Sequence, residues 1–153
     1  DLFGPNLNGH SDFVRQIRDA LELGVEKELP DKLVGSPTYV PNLSEALLEI
    51  SNRWGTHNYN LADGGHAEMP DVLHVAGNLT LSRFQWGQMI ANEFGYDPAL
   101  IVPTSEVLGS APRPLRGGLD VGLAKKLGLP IYSPMDGLAD LVRREHATGE
   151  NSS

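Results

Sequence analysis

The chain has 153 residues, 40% of them hydrophobic and 21% charged, a composition that supports one globular domain with a core and favours it over a disordered chain. Its net charge of −8, from 20 acidic and 12 basic residues, repels phosphate backbones and argues against nucleic-acid binding, while leaving room for a small anion held by local arginines. The absence of cysteine excludes disulfides, thiolate catalysis and Cys-based zinc sites, and no run approaches the roughly 20 apolar residues of a membrane helix, so no membrane partner and a cytoplasmic location are expected.

The opening Asp1-Leu2-Phe3-Gly4-Pro5 has no Met, basic region or apolar region, and predicts that sequence lies upstream. Residues 11–23 predict a helix: Phe13, Val14, Ile17, Ala20 and Leu21 share a face, Ser11 or Asp12 can cap it, and Gly24 can end it. Residues 32–40 read as extended, since Pro37 biases Ser36 away from the helical region. A second helix is predicted at about 43–53, capped by Asn42 with Glu45 three residues on, and burying Leu43, Ala46, Leu47 and Ile50. The Gly-, Asn- and Asp-rich residues 54–70 read as loop, and residues 71–76 as a strand ending at Gly77, with His74 as a core histidine.

A third helix is predicted at about 82–94, with Thr80 or Ser82 as cap, Phe84, Met89, Ile90 and Phe94 buried, and Gly95 as the stop. Residues 99–103 read as a short strand and residues 109–118 as loop. Asp120 can cap a short helix ending at Gly128. Ser133-Pro134-Met135-Asp136 then opens the last helix, with Ser133 at the cap, Pro134 in the first turn, and Leu138, Leu141 and Val142 inward; residues 147–153 read as a polar tail. The 17 Gly and 11 Pro punctuate these elements throughout, and no regular run of strand-helix-strand units emerges.

Three stretches in order carry a family resemblance. They are Gly35-Ser36-Pro37-Thr38-Tyr39 leading into Asn42-Leu43-Ser44; His74-Val75-Ala76-Gly77 followed by Leu81-Ser82-Arg83-Phe84; and Ala111-Pro112-Arg113-Pro114 followed by Leu119-Asp120 and Leu127-Gly128. With Leu2-Phe3-Gly4 and Phe13-Val14 in front, this order resembles the dTDP-4-dehydrorhamnose reductases, extended short-chain dehydrogenases. The family's usual Asp-Gln before the Gly-x-Pro-Thr segment is replaced by Lys32-Leu33, and its Asp-Leu-Ala by Asn42-Leu43-Ser44. Its front Asn-Phe appears as Asp12-Phe13, and its late-helix Lys is shifted or absent, with Lys125-Lys126 nearby.

The resemblance implies an α/β fold: the carboxyl-terminal, substrate-binding portion of a Rossmann-type extended short-chain dehydrogenase, mostly helical with a few short strands. Residues 1–146 would form that part and 147–153 the tail, with the amino-terminal Rossmann part absent from this chain. The implied function is nucleotide-sugar binding in an NAD(P)H-dependent 4-keto-sugar-nucleotide reductase of dTDP-rhamnose biosynthesis. The complete protein would use NADPH or NADH, bind a nucleotide-sugar substrate, and could be a homodimer. Other roles within the resemblance are a regulatory subunit like the methionine adenosyltransferase β subunit, or a nucleotide-sugar epimerase or dehydratase.

This chain alone is expected to bind no cofactor and to hold no catalytic residue. It has no Gly-rich turn after a first strand for a pyrophosphate; Gly64-Gly65 is an isolated pair. The superfamily's catalytic Tyr-x-x-x-Lys is also missing, because Tyr39, Tyr59, Tyr96 and Tyr132 are followed four on by Leu43, Asp63, Leu100 and Asp136.

Candidate substrate contacts follow. Arg113, between two prolines in a Gly-rich loop, can present a bidentate guanidinium to a diphosphate or simply be a surface arginine held by the rigid prolines, and Arg116 is a poorer choice for the same role. Asn8, in the turn before the first helix, can join an anion site at the helix start, although ordinary turn chemistry also explains it. Thr38 and Tyr39 offer hydroxyls beside the expected sugar pocket, against the simpler role of strand formers. His57, Asp63, His66 and Glu68 lack helical metal spacing and read as a solvated loop, so no metal is expected.

Overall fold

A computed structural model of the chain describes residues 1–5, 11–56, 70–106 and 114–150. Strand β1 (Leu2–Phe3) leads to helix α1 (Phe13–Glu22), which begins where the Asp12 carboxylate accepts the Arg15 N–H at 2.9 Å. It stops at Gly24, whose φ of 67° is a left-handed turn that glycine adopts without a Cβ clash. Val14, Ile17 and Leu21 are buried at helical spacing, as the sequence pattern predicts, with Phe13 packed beside them.

Strands β2 (Lys27–Pro30), β3 (Val34–Gly35) and β4 (Thr38–Tyr39) follow in quick succession. Strand β2 has no counterpart among the predicted elements, because its Lys-Glu-Leu-Pro carries a single buried side chain, Leu29, too little for a periodicity. Helix α2 runs Val40–Thr56, longer at both ends than predicted. Pro41 therefore lies in the first turn, where its missing N–H costs nothing, and Asn42 is inside the helix and is not its cap. Of the predicted stripe only Ala46 is fully buried; Leu47 is 53% exposed, because Ile50 turns toward a second, smaller core cluster.

Residues 71–76 are not a strand. Leu73 and Val75 pack onto that second cluster around Ala124, Leu127 and Leu129, so their alternation records burial without ladder pairing. His74 points to solvent and is not a core histidine. Strand β5 (Leu81–Ser82) runs directly into helix α3 (Arg83–Glu93) through a reciprocal cap: Ser82 Oγ accepts the Gln85 N–H at 3.1 Å, and Gln85 Oε1 accepts the Ser82 N–H at 2.9 Å.

The buried face of α3 is Trp86, Gly87, Ile90 and Ala91, whereas the predicted Phe84, Met89 and Phe94 flank it and are only partly buried. The physical reason is Gly87: a Cβ there would stand 2.3 Å from Leu29 Cδ1 and 3.2 Å from Ile101 Cγ2, so α3 lies directly on the strands at this face.

Strand β6 (Ile101–Thr104) pairs in parallel with β2, β1 pairs in parallel with β4, and β3 pairs antiparallel with β5. Among the described residues these are three separate two-stranded pairs, in line with the expected few short strands beside dominant helices. Helix α4 (Gly122–Lys126) starts after Val121, with the Asp120 carboxylate accepting the Gly122 N–H at 2.8 Å one position earlier than a cap would. Helix α5 (Pro134–Glu150) opens as predicted at Ser133 and Asp136, buries Leu138 and Leu141, and extends four residues into the predicted tail. The main core gathers Phe3, Tyr39 and Trp86 with the inner faces of α1, α3 and α5.

Candidate functional site

Short extended segments cannot satisfy their own backbone, so the places where they find partners organise this molecule. Residues 34–39 are such a hub. Val34 donates to the Leu115 carbonyl at 2.8 Å and accepts from Gly117 N–H at 2.9 Å; the buried Ser36 hydroxyl accepts the Leu119 N–H at 3.0 Å; Thr38 N–H donates to the Asp1 carbonyl at 2.8 Å. The Thr38 hydroxyl donates to the Ser36 carbonyl at 3.0 Å and accepts the Gly77 N–H at 3.1 Å. Gly77 comes so close that a Cβ would lie 2.0 Å from the Pro37 carbonyl oxygen, which only glycine permits. Three stretches separated by tens of residues thus meet at one point.

Tyr39 closes the other side of the hub. Its ring lies 5.3 Å from Phe3, and its hydroxyl donates to Asp140 Oδ2 at 2.8 Å. Burial, then the Asp140 carboxylate, push the phenol up to about 12. Arg144, then Tyr39, bond the Asp140 carboxylate and hold it at about 2, below the ordinary aspartate value. Thr38 and Tyr39 face a narrow crevice against Gly77 and Pro134, with both hydroxyls engaged inside the protein.

Two larger grooves share Asp1, Leu33 and Arg83. The first, about 520 Å³, has an apolar wall of Phe13, Leu29, Pro30 and Leu33, with Lys27, Glu28 and Glu106 at its edge. The second, about 270 Å³, is lined by Val34–Ser36, Pro114, Gly117 and Leu119. An apolar wall with a few convergent polar groups is the usual make-up of a small-molecule site.

Arg83 stands where the grooves meet. Its backbone N–H donates to the Leu33 carbonyl at 3.0 Å, its guanidinium pairs with Asp1 Oδ1 at 2.7 Å, and the same group lies 4.4 Å from the centre of the Phe13 ring. A cation in the first turn of a helix faces the positive end of the dipole, typically unfavourable by ~0.3–1 kcal/mol. That misfit, visible in Ser82-Arg83-Phe84, is the sequence signal that could have singled Arg83 out as a site residue.

Of the predicted contacts, Arg113 and Asn8 lie outside the described residues, as do His57, Asp63, His66 and Glu68. The described neighbours of the segment holding Arg113, Glu106 and Pro114, both line the grooves, as does Phe13, five residues after Asn8. Arg116 is exposed and bridged to Val34 through its backbone. Among the described residues no group of three or more His, Asp or Glu could hold a metal, and no helix is long and apolar enough to cross a membrane.

Residues 2–146 match the family model described as the RmlD substrate binding domain. The dTDP-4-dehydrorhamnose reductase of Mycobacterium tuberculosis (strain ATCC 25618 / H37Rv) is 34% identical over 103 residues, covering 67% of this chain and 30% of that protein. Among solved structures, the dTDP-4-dehydrorhamnose reductase of Bacillus anthracis in complex with NADP superposes with a TM-score of 0.68 at 20% identity, over 94% of this chain and 46% of that one. A dTDP-4-dehydrorhamnose reductase from Clostridium acetobutylicum does so with a TM-score of 0.72 at 17% identity, over 95% and 46%. At these identities the structural likeness is one of fold, and the chain spans less than half the length of each relative.

Proposed function

The chain belongs to the RmlD substrate-binding-domain family, and from that premise we propose that it is the nucleotide-sugar-binding part of an NAD(P)H-dependent 4-keto-sugar-nucleotide reductase, the reaction class of dTDP-4-dehydrorhamnose reductase in dTDP-rhamnose biosynthesis. Its α/β fold is that of the carboxyl-terminal part of a Rossmann-type extended short-chain dehydrogenase. The observation that carries the proposal is the pair of grooves meeting at Arg83: together they have the size and the apolar-plus-cation make-up that a base, a diphosphate and a sugar require.

The residues of this chain do not fit a nicotinamide cofactor. There is no Gly-rich turn for its pyrophosphate, and Tyr39 is the wrong kind of proton donor: its phenol is pushed up to about 12, and Leu43 stands where the superfamily's lysine would. On this proposal the Rossmann part carries NADPH or NADH and the chemistry, and residues 1–146 hold the substrate, contributing by position. Arg113 and Asn8 are among the contacts to the diphosphate. Thr38 and Tyr39 line neither groove; their internal hydrogen bonds brace the segment whose Val34, Gly35 and Ser36 line the second one.

The test is calorimetric titration of the complete protein with dTDP and with NADPH, alongside NADPH oxidation driven by a dTDP-4-keto-6-deoxy sugar. Arg113→Ala should weaken dTDP by about 10- to 150-fold, the worth of one charge-assisted contact, and leave NADPH binding intact. Arg113→Lys should recover only part, since an ammonium lacks the bidentate fork. Absence of dTDP binding together with absence of keto-sugar-dependent oxidation would overturn the proposal.

A further inference from the structure

Resting on that reading, we propose that Arg83 is a specificity-determining residue of the groove: its guanidinium meets the ligand's phosphate, and Asp1 is the internal carboxylate that holds it ready and gives it up. Three observations support this. Arg83 is the residue, with Asp1 and Leu33, common to both grooves, so a ligand occupying both must pass it. Its position is fixed before any ligand arrives, by the Ser82–Gln85 cap, by its own N–H on the Leu33 carbonyl and by the Phe13 ring under the guanidinium, so little freedom is lost on binding.

The third is charge. The larger groove presents Asp1, Glu28 and Glu106 against Lys27 and Arg83, within a chain of net charge −8. A dianion enters such a place only against a cation, and Lys27 is exposed at the edge while the Arg83 side chain is 24% exposed at the centre. The apolar wall of Phe13, Leu29 and Leu33 suits an aromatic base, and the second groove, with Gly35, Ser36 and Gly117 in its lining, suits a sugar. A base in one, a sugar in the other and a diphosphate between them at Arg83 is a bipartite fit to a nucleoside diphosphate sugar. Asp1, 2.7 Å from the guanidinium, competes with that diphosphate for the same N–H donors.

The competition gives a test with opposite signs at two adjacent residues. In the complete protein, dTDP and thymidine are titrated calorimetrically against wild type, Arg83→Met, Arg83→Lys and Asp1→Asn, with thermal midpoints to confirm folding. Arg83→Met keeps the apolar stem on Phe13 and should weaken dTDP by about 10- to 150-fold while leaving thymidine unchanged. Arg83→Lys should lose less, and Asp1→Asn should tighten dTDP by removing the competitor. Should Arg83→Met not fold, Arg83→Lys decides by weakening dTDP more than thymidine. Wild-type dTDP affinity in the Arg83 variants, a parallel loss of thymidine, or weakened dTDP in Asp1→Asn would overturn this assignment while leaving the proposed function standing. Failure of the wild type to bind any nucleoside diphosphate removes both.

Discussion

Replacing Gly77 by Ala should destabilise the protein by about 0.5–4 kcal/mol, with no contribution from backbone dihedral strain, since its φ is not among the positive ones. The new Cβ would sit 2.0 Å from the Pro37 carbonyl oxygen, and real Cβ contacts essentially never fall below 3.0 Å, so the two backbones must part by about 1 Å. Neither atom is the far end of a flexible side chain.

Overpacking of this kind costs ~1–3 kcal/mol. The separation also breaks the buried Gly77 N–H bond to the Thr38 hydroxyl, now 3.1 Å, for a further ~0.5–1.5 kcal/mol. The stiffer unfolded chain returns ~0.4–1 kcal/mol. Urea unfolding followed by tryptophan fluorescence should show a lower midpoint at unchanged slope. The control is Gly35→Ala in the same hub, where a Cβ meets only Asp1 Oδ2 at 4.0 Å and the change should stay within ~0.5 kcal/mol. Equal midpoints for the two variants would refute the account of Gly77 as the contact that closes the hub.

Trp86→Ala should cost ~3–5 kcal/mol, since the indole is 1% exposed, and Phe84→Ala less, since its ring is only partly buried; the opposite order in chemical unfolding would show that α3 faces the other way. Asp140 titrates at about 2 in the folded protein against an ordinary 3.8, so the stability it confers is full above 3.8 and is lost as pH falls toward 2; Asp140→Asn should flatten that part of a stability–pH curve, and an unchanged acid limb would count against the Tyr39–Asp140–Arg144 network. At the alkaline end the Tyr39 phenol, raised from 10.0 to about 12, keeps its proton while the unfolded chain loses its own, so stability should decline between those pH values and Tyr39→Phe should remove the decline. The isolated chain should not oxidise NADPH or NADH with a 4-keto nucleotide sugar, measured at 340 nm; turnover would place catalytic groups within it.

The sequence by itself determined where the helices lie and, for α1 and α3, where they begin and end. Asp12, Ser82 and Ser133 sit at helix starts, and Gly24, Gly95 and Gly128 have positive φ at helix ends, because capping and left-handed glycine act over three or four residues and need no tertiary partner. The order of Gly35-Ser36-Pro37-Thr38, the Gly77 segment and the 111–120 segment was also enough to indicate the family.

What the tertiary structure alone decided is which neighbours these segments find. Alternation in residues 71–76 suggested a strand, but a strand exists only where another backbone offers a ladder, and here Gly77 bonds the Thr38 hydroxyl instead. Leu47 and Leu43 share a helical stripe in sequence, yet the cluster that covers Ile50 does not reach Leu47. The pairing of β2 with β6 joins Lys27 to Ile101, and the meeting of Arg83 with Asp1 spans 82 positions; neither separation leaves a local signal. Helix caps are short-range chemistry written residue by residue, whereas a groove is made by chain segments that are distant in sequence and become adjacent only when the core has formed.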